Sequence, residues 1–322
     1  MLTPAFFTSY HPLPSTLWWP ILADTFRPLM RAVGHHVVVE GAERLPRTPA
    51  LLCTNSTQRY DFLSFLRALD LVGHRAVTIS KAKNFHAAPL RFVMQRAGVV
   101  PIVSRGYLLL VDFTSTIGRR PTDDEYRALR RYLDVGTALP EREPFTRLLG
   151  LPRSILGHSF EPSRTTLRTQ LEQVYASSMT QTLRLARQAV EAGFHVHIYP
   201  EGTVSERLGR GRSGAVQLAR ALGVPLVPVG MSGCRSAWIG ATPLPRGGRV
   251  TVRVGEPLDV RTLLAALPAT YRPFCPDDER AHRATLDAAT ALLMDRIEGL
   301  LDAPYRRPLE GALPGKGTRA FL

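Results

Sequence analysis

Asn55-Ser56-Thr57-Gln58-Arg59-Tyr60-Asp61 places a hydroxyl and a carboxylate five residues apart, directly after a short apolar run, Ala50–Thr54. A serine hydroxyl can act as a nucleophile only with a separate base, because its own pKa lies far from neutrality. Imidazole is the side chain suited to that task. His86, His158, His195 and His197 are the histidines that a fold could bring toward Ser56. His158 lies in a loop-rich stretch and is the freest to reach, though each reads first as an ordinary structural histidine. Asp61 fits two roles: a carboxylate that orients a base, or the N-cap of a helix beginning at Phe62.

A second segment, Tyr199-Pro200-Glu201-Gly202-Thr203, follows the apolar run Phe194–Ile198 and opens into an Arg-rich loop. Gly202 permits a tight turn and close approach of the backbone to a ligand. Glu201 and Thr203 add a carboxylate and a hydroxyl. A third segment, Gly98 to Arg105, ends an apolar run on Ser104-Arg105, and a guanidinium there suits a phosphate. His195 and His197 alternate along one strand face, but a third ligand for a metal is not apparent, so no metal site is expected. His282 and Asp287 also stand five residues apart, but inside a helical pattern, where that spacing puts them about 140° apart around the axis.

Periodicity supplies the elements that must position these residues. Strands are expected at Val37–Glu40, Ala50–Thr54, Arg75–Ser80, Val99–Val103, Phe194–Ile198, Pro225–Val229 and Arg249–Val254. Helices are expected at Asp61–Leu71, Pro89–Ala97, Leu171–Ala192, Ser213–Leu222 and Ala281–Leu301. The alternation predicts an α/β fold, a mainly parallel mixed sheet flanked by helices. Ligand sites in such sheets gather at strand carboxyl ends, where Asn55, Arg105, Glu201 and Gly230 are expected to lie. The spacing divides the chain into an aromatic, amphipathic segment (1–34), an α/β domain (35–303) and a tail (304–322) expected to be disordered. Within the domain, 107–169 reads as an insertion, partly helical near Tyr126–Leu133. It fits a lid, a membrane-facing excursion or a surface elaboration.

With 322 residues and 44% hydrophobic content, the chain can bury a large core. Its formal net charge is +14, and all but Lys81, Lys83 and Lys316 of the 41 basic residues are Arg. A basic surface favours anionic membranes, anionic substrates or nucleic acid. Zinc-finger and aromatic RNA-binding signatures are missing, so nucleic acid is not expected as a partner. The three cysteines (Cys53, Cys234, Cys275) show no disulfide or zinc spacing, which suits a reducing compartment. No apolar run is long enough to span a bilayer, and no secretory signal is read at the N-terminus. Phe6, Phe7, Tyr10, Trp18 and Trp19, beside Arg27 and Arg31, fit either a bilayer interface or a helix packed on the domain.

Taken in order, four segments resemble those of the glycerolipid acyltransferase family, of the 1-acylglycerol-3-phosphate acyltransferase type. They are Asn55–Asp61, Gly98–Arg105, Tyr199–Thr203 and Val224–Gly230. That family uses a His, four residues and an Asp; here Ser56 occupies the His position and Asp61 the Asp position. The resemblance implies transfer of a fatty acyl group from coenzyme A or acyl carrier protein, without a further cofactor, to a lysophospholipid-type acceptor. It implies catalytic positions at Ser56 and Asp61 and a substrate-binding set of Arg105, Glu201, Gly202 and Thr203. An Arg usually follows the third segment; Val204 stands there, with Arg207, Arg210 and Arg212 beyond it. The expected location is cytoplasmic, peripheral on the inner face of the cell membrane. The alternative is a catalytically inactive homologue that binds lipid or a partner protein.

Overall fold

The computed structural model describes residues 3–13, 28–85, 88–240, 242 and 244–308. Its centre is a seven-stranded sheet formed by β1 (His35–Glu40), β2 (Leu51–Thr54), β3 (Ala76–Lys81), β4 (Val99–Ile102), β7 (His195–Ile198), β8 (Leu226–Ser232) and β9 (Gly248–Val254). The order across the sheet is β1-β9-β8-β2-β7-β3-β4. Every neighbouring pair is parallel except β8 with β9. The sheet is therefore the mainly parallel mixed one that the alternating pattern implied. β5 (Arg153–Ile155) and β6 (His158–Phe160) form a separate antiparallel hairpin.

The helices that bear on the site are α1 (Pro4–Thr8), α2 (Asp61–Leu71), α3 (Ala88–Arg96), α4 (Arg105–Ile117), α5 (Asp123–Val135), α6 (Phe145–Gly150), α7 (Leu167–Glu191), α8 (Gly214–Leu222), α9 (Pro276–Ala281) and α10 (Arg283–Gly299). Alternation along each strand sends successive side chains to opposite faces. Leu51 and Cys53 enter one core with α4, α7, α8 and α10, whereas Leu52 enters a second core with Phe65, Leu66 and Leu69 of α2. The sheet is thus covered on both sides, as a parallel sheet requires.

The segment expected as an insertion begins inside a helix. α4 follows β4 directly, because the Ser104 hydroxyl accepts from the Tyr107 N–H and Leu108, Leu109 and Leu110 are buried. Gly118, with φ 82°, ends α4. A capping box between Thr122 and Glu125 then starts α5. Arg153 ties the hairpin back to α4: its guanidinium meets the Asp112 carboxylate at 2.7 and 2.6 Å and also donates to the Leu148 and Leu151 carbonyls. Asp112 is 2% exposed in that pair, so the hairpin and α6 are anchored to the domain by a buried fork.

Residues 3–13 pack on the domain. Phe7 and Tyr10 are buried near Phe85, the Tyr10 hydroxyl donates to the Val99 carbonyl, and Arg184 donates to the Phe7 carbonyl. Trp18 and Trp19 lie outside the described residues. At the other end, Arg307 pairs with Asp295 and Glu298 of α10, so packed chain continues past position 303. The remainder of the tail, from 309, lies outside the described residues. No described helix is long and apolar enough to cross a membrane.

Candidate active site

β2, β3, β4, β7 and β8 share one direction, so the carboxyl ends of the first four bring Ser56, Lys81, Ser104-Arg105 and Tyr199–Thr203 to one edge. These residues line a cleft of about 1890 Å³, and α5, α7, α9 and α10 complete its walls. Ile79, Met94, Ile102, Val103 and Met179 give it an apolar stretch, while basic side chains outnumber acidic ones among the described lining residues. Gly230 is not at the site. It lies within β8, where a Cβ would stand 2.6 Å from the Leu300 Cβ, so its small size serves helix packing.

Glu201 ties the segments together. Its carboxylate accepts from the Ser56 N–H at 3.1 Å through Oε1 and from the Gly209 N–H at 2.7 Å through Oε2. The Ser205 N–H donates to the Ser56 carbonyl at 2.8 Å. Glu201 is 1% exposed, so its two oxygens act on backbone and fix the relation between the β2 and β7 loops. Gly202, with φ 60°, turns the chain above them.

Asp61 opens α2 as its first helical residue, and the N-cap is Tyr60, which makes no side-chain cap bond. The helix-cap alternative for Asp61 is therefore corrected. The carboxylate folds back on the preceding loop instead, and Oδ2 accepts from the Thr57 N–H at 2.6 Å and the Gln58 N–H at 2.8 Å. Its Oδ1 has no hydrogen-bond partner of normal geometry among the described residues, and the Cys234 thiol lies against the carboxylate. Asp61 is 1% exposed. Burial, only partly offset by the N–H groups of Gln58 and Thr57, pushes its pKa up to about 7.

No histidine among the described residues lines the cleft. His197 is held in the sheet, with Nε2 paired to the Thr54 hydroxyl at 2.8 Å and Nδ1 to the Thr78 hydroxyl at 3.2 Å. His195 accepts from the Ala50 N–H at 3.0 Å through Nδ1 and pairs with His74 at 2.9 Å. Burial lowers both pKa values, to about 3 for His197 and, with repulsion from His74 added, to about 4 for His195. Both are neutral structural histidines. His158 lies in the β5–β6 hairpin, and His86 falls outside the described residues. Asp287 pairs with Arg283 and Arg210, which leaves its five-residue spacing from His282 without chemical meaning. Among the described residues no cluster of His, Cys, Asp or Glu is arranged to hold a metal.

Arg105 lines the cleft, but its guanidinium is engaged. It donates to Glu279 Oε2 at 3.0 Å and lies 4.6 Å from the centre of the Tyr175 ring. Glu279 in turn accepts from Ser213 and Gln217. Sequence reasoning missed α5 as a cleft wall and missed Glu279. Nothing in the spacing of Glu279 to the strand-end segments signalled the contact, since it lies 174 residues from Arg105 in sequence.

Residues 156–232 match the family model described as Acyltransferase. The match contains Glu201, Gly202, Thr203 and β8, and it lies downstream of Ser56, Asp61 and Arg105. It bears out the resemblance to the acyltransferase family that the strand-end segments carried. No curated protein matches the chain. Among solved structures, the 1-acyl-sn-glycerophosphate (LPA) acyltransferase PlsC from Thermotoga maritima superimposes with a TM-score of 0.39 at 14% identity, covering 79% of this chain and 71% of that one.

Proposed function

We propose that this chain is a glycerolipid acyltransferase-type protein whose cleft receives an acyl thioester, on coenzyme A or acyl carrier protein, together with a lysophospholipid-type acceptor. The observation that carries the reading is the convergence of Ser56, Arg105 and the Glu201-Gly202-Thr203 loop on one basic cleft with an apolar stretch. Single-ligand pockets are about 300–1,000 Å³, and about 1890 Å³ leaves room for an acyl chain beside a charged headgroup. In the proposed reaction the acceptor hydroxyl attacks the thioester carbonyl. A C–O bond forms, the C–S bond breaks, and the hydroxyl proton ends on the leaving thiol. Arg105 and the basic wall attract the acceptor phosphate. Gly202 and Thr203 offer backbone and hydroxyl contacts, while Asp61 shapes the loop that carries Ser56. Work at an anionic bilayer on the cytoplasmic side agrees with the net charge of +14.

One observation favours a second reading. No histidine among the described residues lines the cleft to receive the proton, which favours a catalytically silent homologue that binds lipid. Acyl transfer by purified protein, with acyl-coenzyme A or acyl carrier protein and lysophosphatidic acid, separates the two. Turnover by the wild type supports the enzyme. Turnover only after Ser56→His supports a binding protein on an acyltransferase scaffold. Silence in both, with the variant folded, removes the acyl-transfer reading for this acceptor.

A further inference from the structure

Arg212 differs from the other cleft cations in how it is held. Its backbone N–H donates to the Pro200 carbonyl at 2.9 Å, and Gly209, three residues earlier, is fixed by Glu201. Gly211 packs so tightly on α10 that a Cβ there would stand 2.6 Å from Met294 Cγ and 2.8 Å from Thr290 Cγ2. The loop is thus pinned on three sides, and the Arg212 stem runs over Gly202, where an added Cβ would meet its Cδ at 3.5 Å. The side chain lines the cleft and is accessible to solvent, although protein surrounds it on most sides. It makes no ion pair or side-chain hydrogen bond among the described residues.

Arg130, on α5, lines the same cleft and lies within electrostatic range of Arg212. Asp134, one helical turn on, holds the Arg130 guanidinium at 2.5 Å and leaves it 31% exposed. Burial and then repulsion from Arg130 lower the Arg212 pKa, with Tyr126 and Asp134 opposing the shift. Two guanidiniums therefore line one cleft within electrostatic range of each other, with the Asp134 carboxylate near both. Arg105, like Arg130, is paired with a carboxylate, but its guanidinium is also covered by the Tyr175 ring, whereas Arg212 has no ion-pair partner among the described residues. A phosphomonoester carries up to two charges and several acceptor oxygens, which suits two planar forks better than one.

We propose that Arg212 and Arg130 together seat the phosphomonoester of a cleft ligand, so that helix α5 completes the anion site that the Val204 position leaves short of a cation. This rests on the reading of the cleft as a ligand site, but not on catalysis. The phosphomonoester belongs either to a lysophosphatidic acid acceptor or to the 3′-phosphate of coenzyme A, and the experiment separates these sources.

Binding by the full chain is measured calorimetrically at one fixed salt concentration for lysophosphatidic acid, coenzyme A, monoacylglycerol and dephospho-coenzyme A. The proteins are wild type, Arg212→Met, Arg130→Met, the double variant and Arg105→Met. Each single loss at the pair is expected to weaken one phosphorylated ligand about tenfold or more, with the double variant less than additive. The corresponding ligand without the phosphomonoester is expected to be unaffected. The ligand that responds identifies the source. Arg212→Lys and Arg130→Lys, which keep charge but lose the fork, serve if a Met variant unfolds. The inference is overturned if wild type binds neither phosphorylated ligand, if only Arg105→Met weakens binding, or if the phosphate-free ligands weaken equally. Because the readout is binding, an absence of acyl transfer leaves the result interpretable.

Discussion

Asp61→Asn tests whether the loop that carries Ser56 is built around a burdened carboxylate. The wild-type group has an ordinary pKa of 3.8, and burial moves it to about 7 in the folded chain. Between those values the folded state holds a proton that the unfolded state has released. The group's contribution to stability is therefore fully present below pH 3.8 and is lost as pH rises through about 7. From pH 5 to pH 8 the expected loss is about 2.5 kcal/mol, at about 1.36 kcal/mol per pKa unit. Asparagine keeps an oxygen for the Thr57 and Gln58 N–H groups but cannot ionise. Urea unfolding of both proteins at pH 5, 6, 7 and 8 gives the difference directly, and titrations common to both cancel. The expected result is a stability of Asp61→Asn relative to wild type that improves by about 2.5 kcal/mol from pH 5 to pH 8. A flat difference, or one that favours the wild type increasingly as pH rises, refutes the reasoning. Either would mean that the two N–H groups stabilise the ion enough to offset its burial.

Other substitutions probe the remaining parts. Ser56→His is expected to raise acyl transfer by about 10²–10⁴, the usual contribution of a positioned base, and initial rates with lysophosphatidic acid check it. Arg153→Met leaves Asp112 buried and unpaired, so a loss of about 3–5 kcal/mol is expected in denaturant unfolding. Glu201→Gln sets an amide donor against either the Ser56 or the Gly209 N–H, with an expected loss of about 1–3 kcal/mol read from the same measurement. His195 and His197 act in the opposite sense to Asp61. Their folded pKa values lie below the ordinary 6.5, so the stability they contribute is present above pH 6.5 and is lost as pH falls toward about 4 and about 3. His197→Asn, followed by unfolding between pH 7 and pH 4, is expected to show a shallower acid loss than wild type.

Much of the framework was legible because it is local. Period-two apolar runs located β1, β2, β3, β4, β7, β8 and β9 to within a few residues, and the alternation of strands with helices implied the mainly parallel sheet. Residues directly after those strands could be placed at one edge without coordinates, because parallel strands share their carboxyl ends. That covers Ser56, Arg105 and Glu201. Gly230 failed by the same logic, since the β8 pattern continues two residues past it to Ser232.

The sequence by itself determined which residues stand at the strand ends, and that a serine rather than a histidine stands five residues before Asp61. Only the tertiary structure decided what those residues touch. Glu201 serves backbone N–H groups from two loops, Asp61 folds back on its own turn, and Arg105 is held by Glu279, which is 174 residues away in sequence. α5 became a wall of the cleft only through packing. The physical reason is one of range: hydrogen-bonded periodicity is written within about four to eight consecutive residues. Burial, charge pairing and pKa are set by whichever distant segments the packed core brings within a few ångströms.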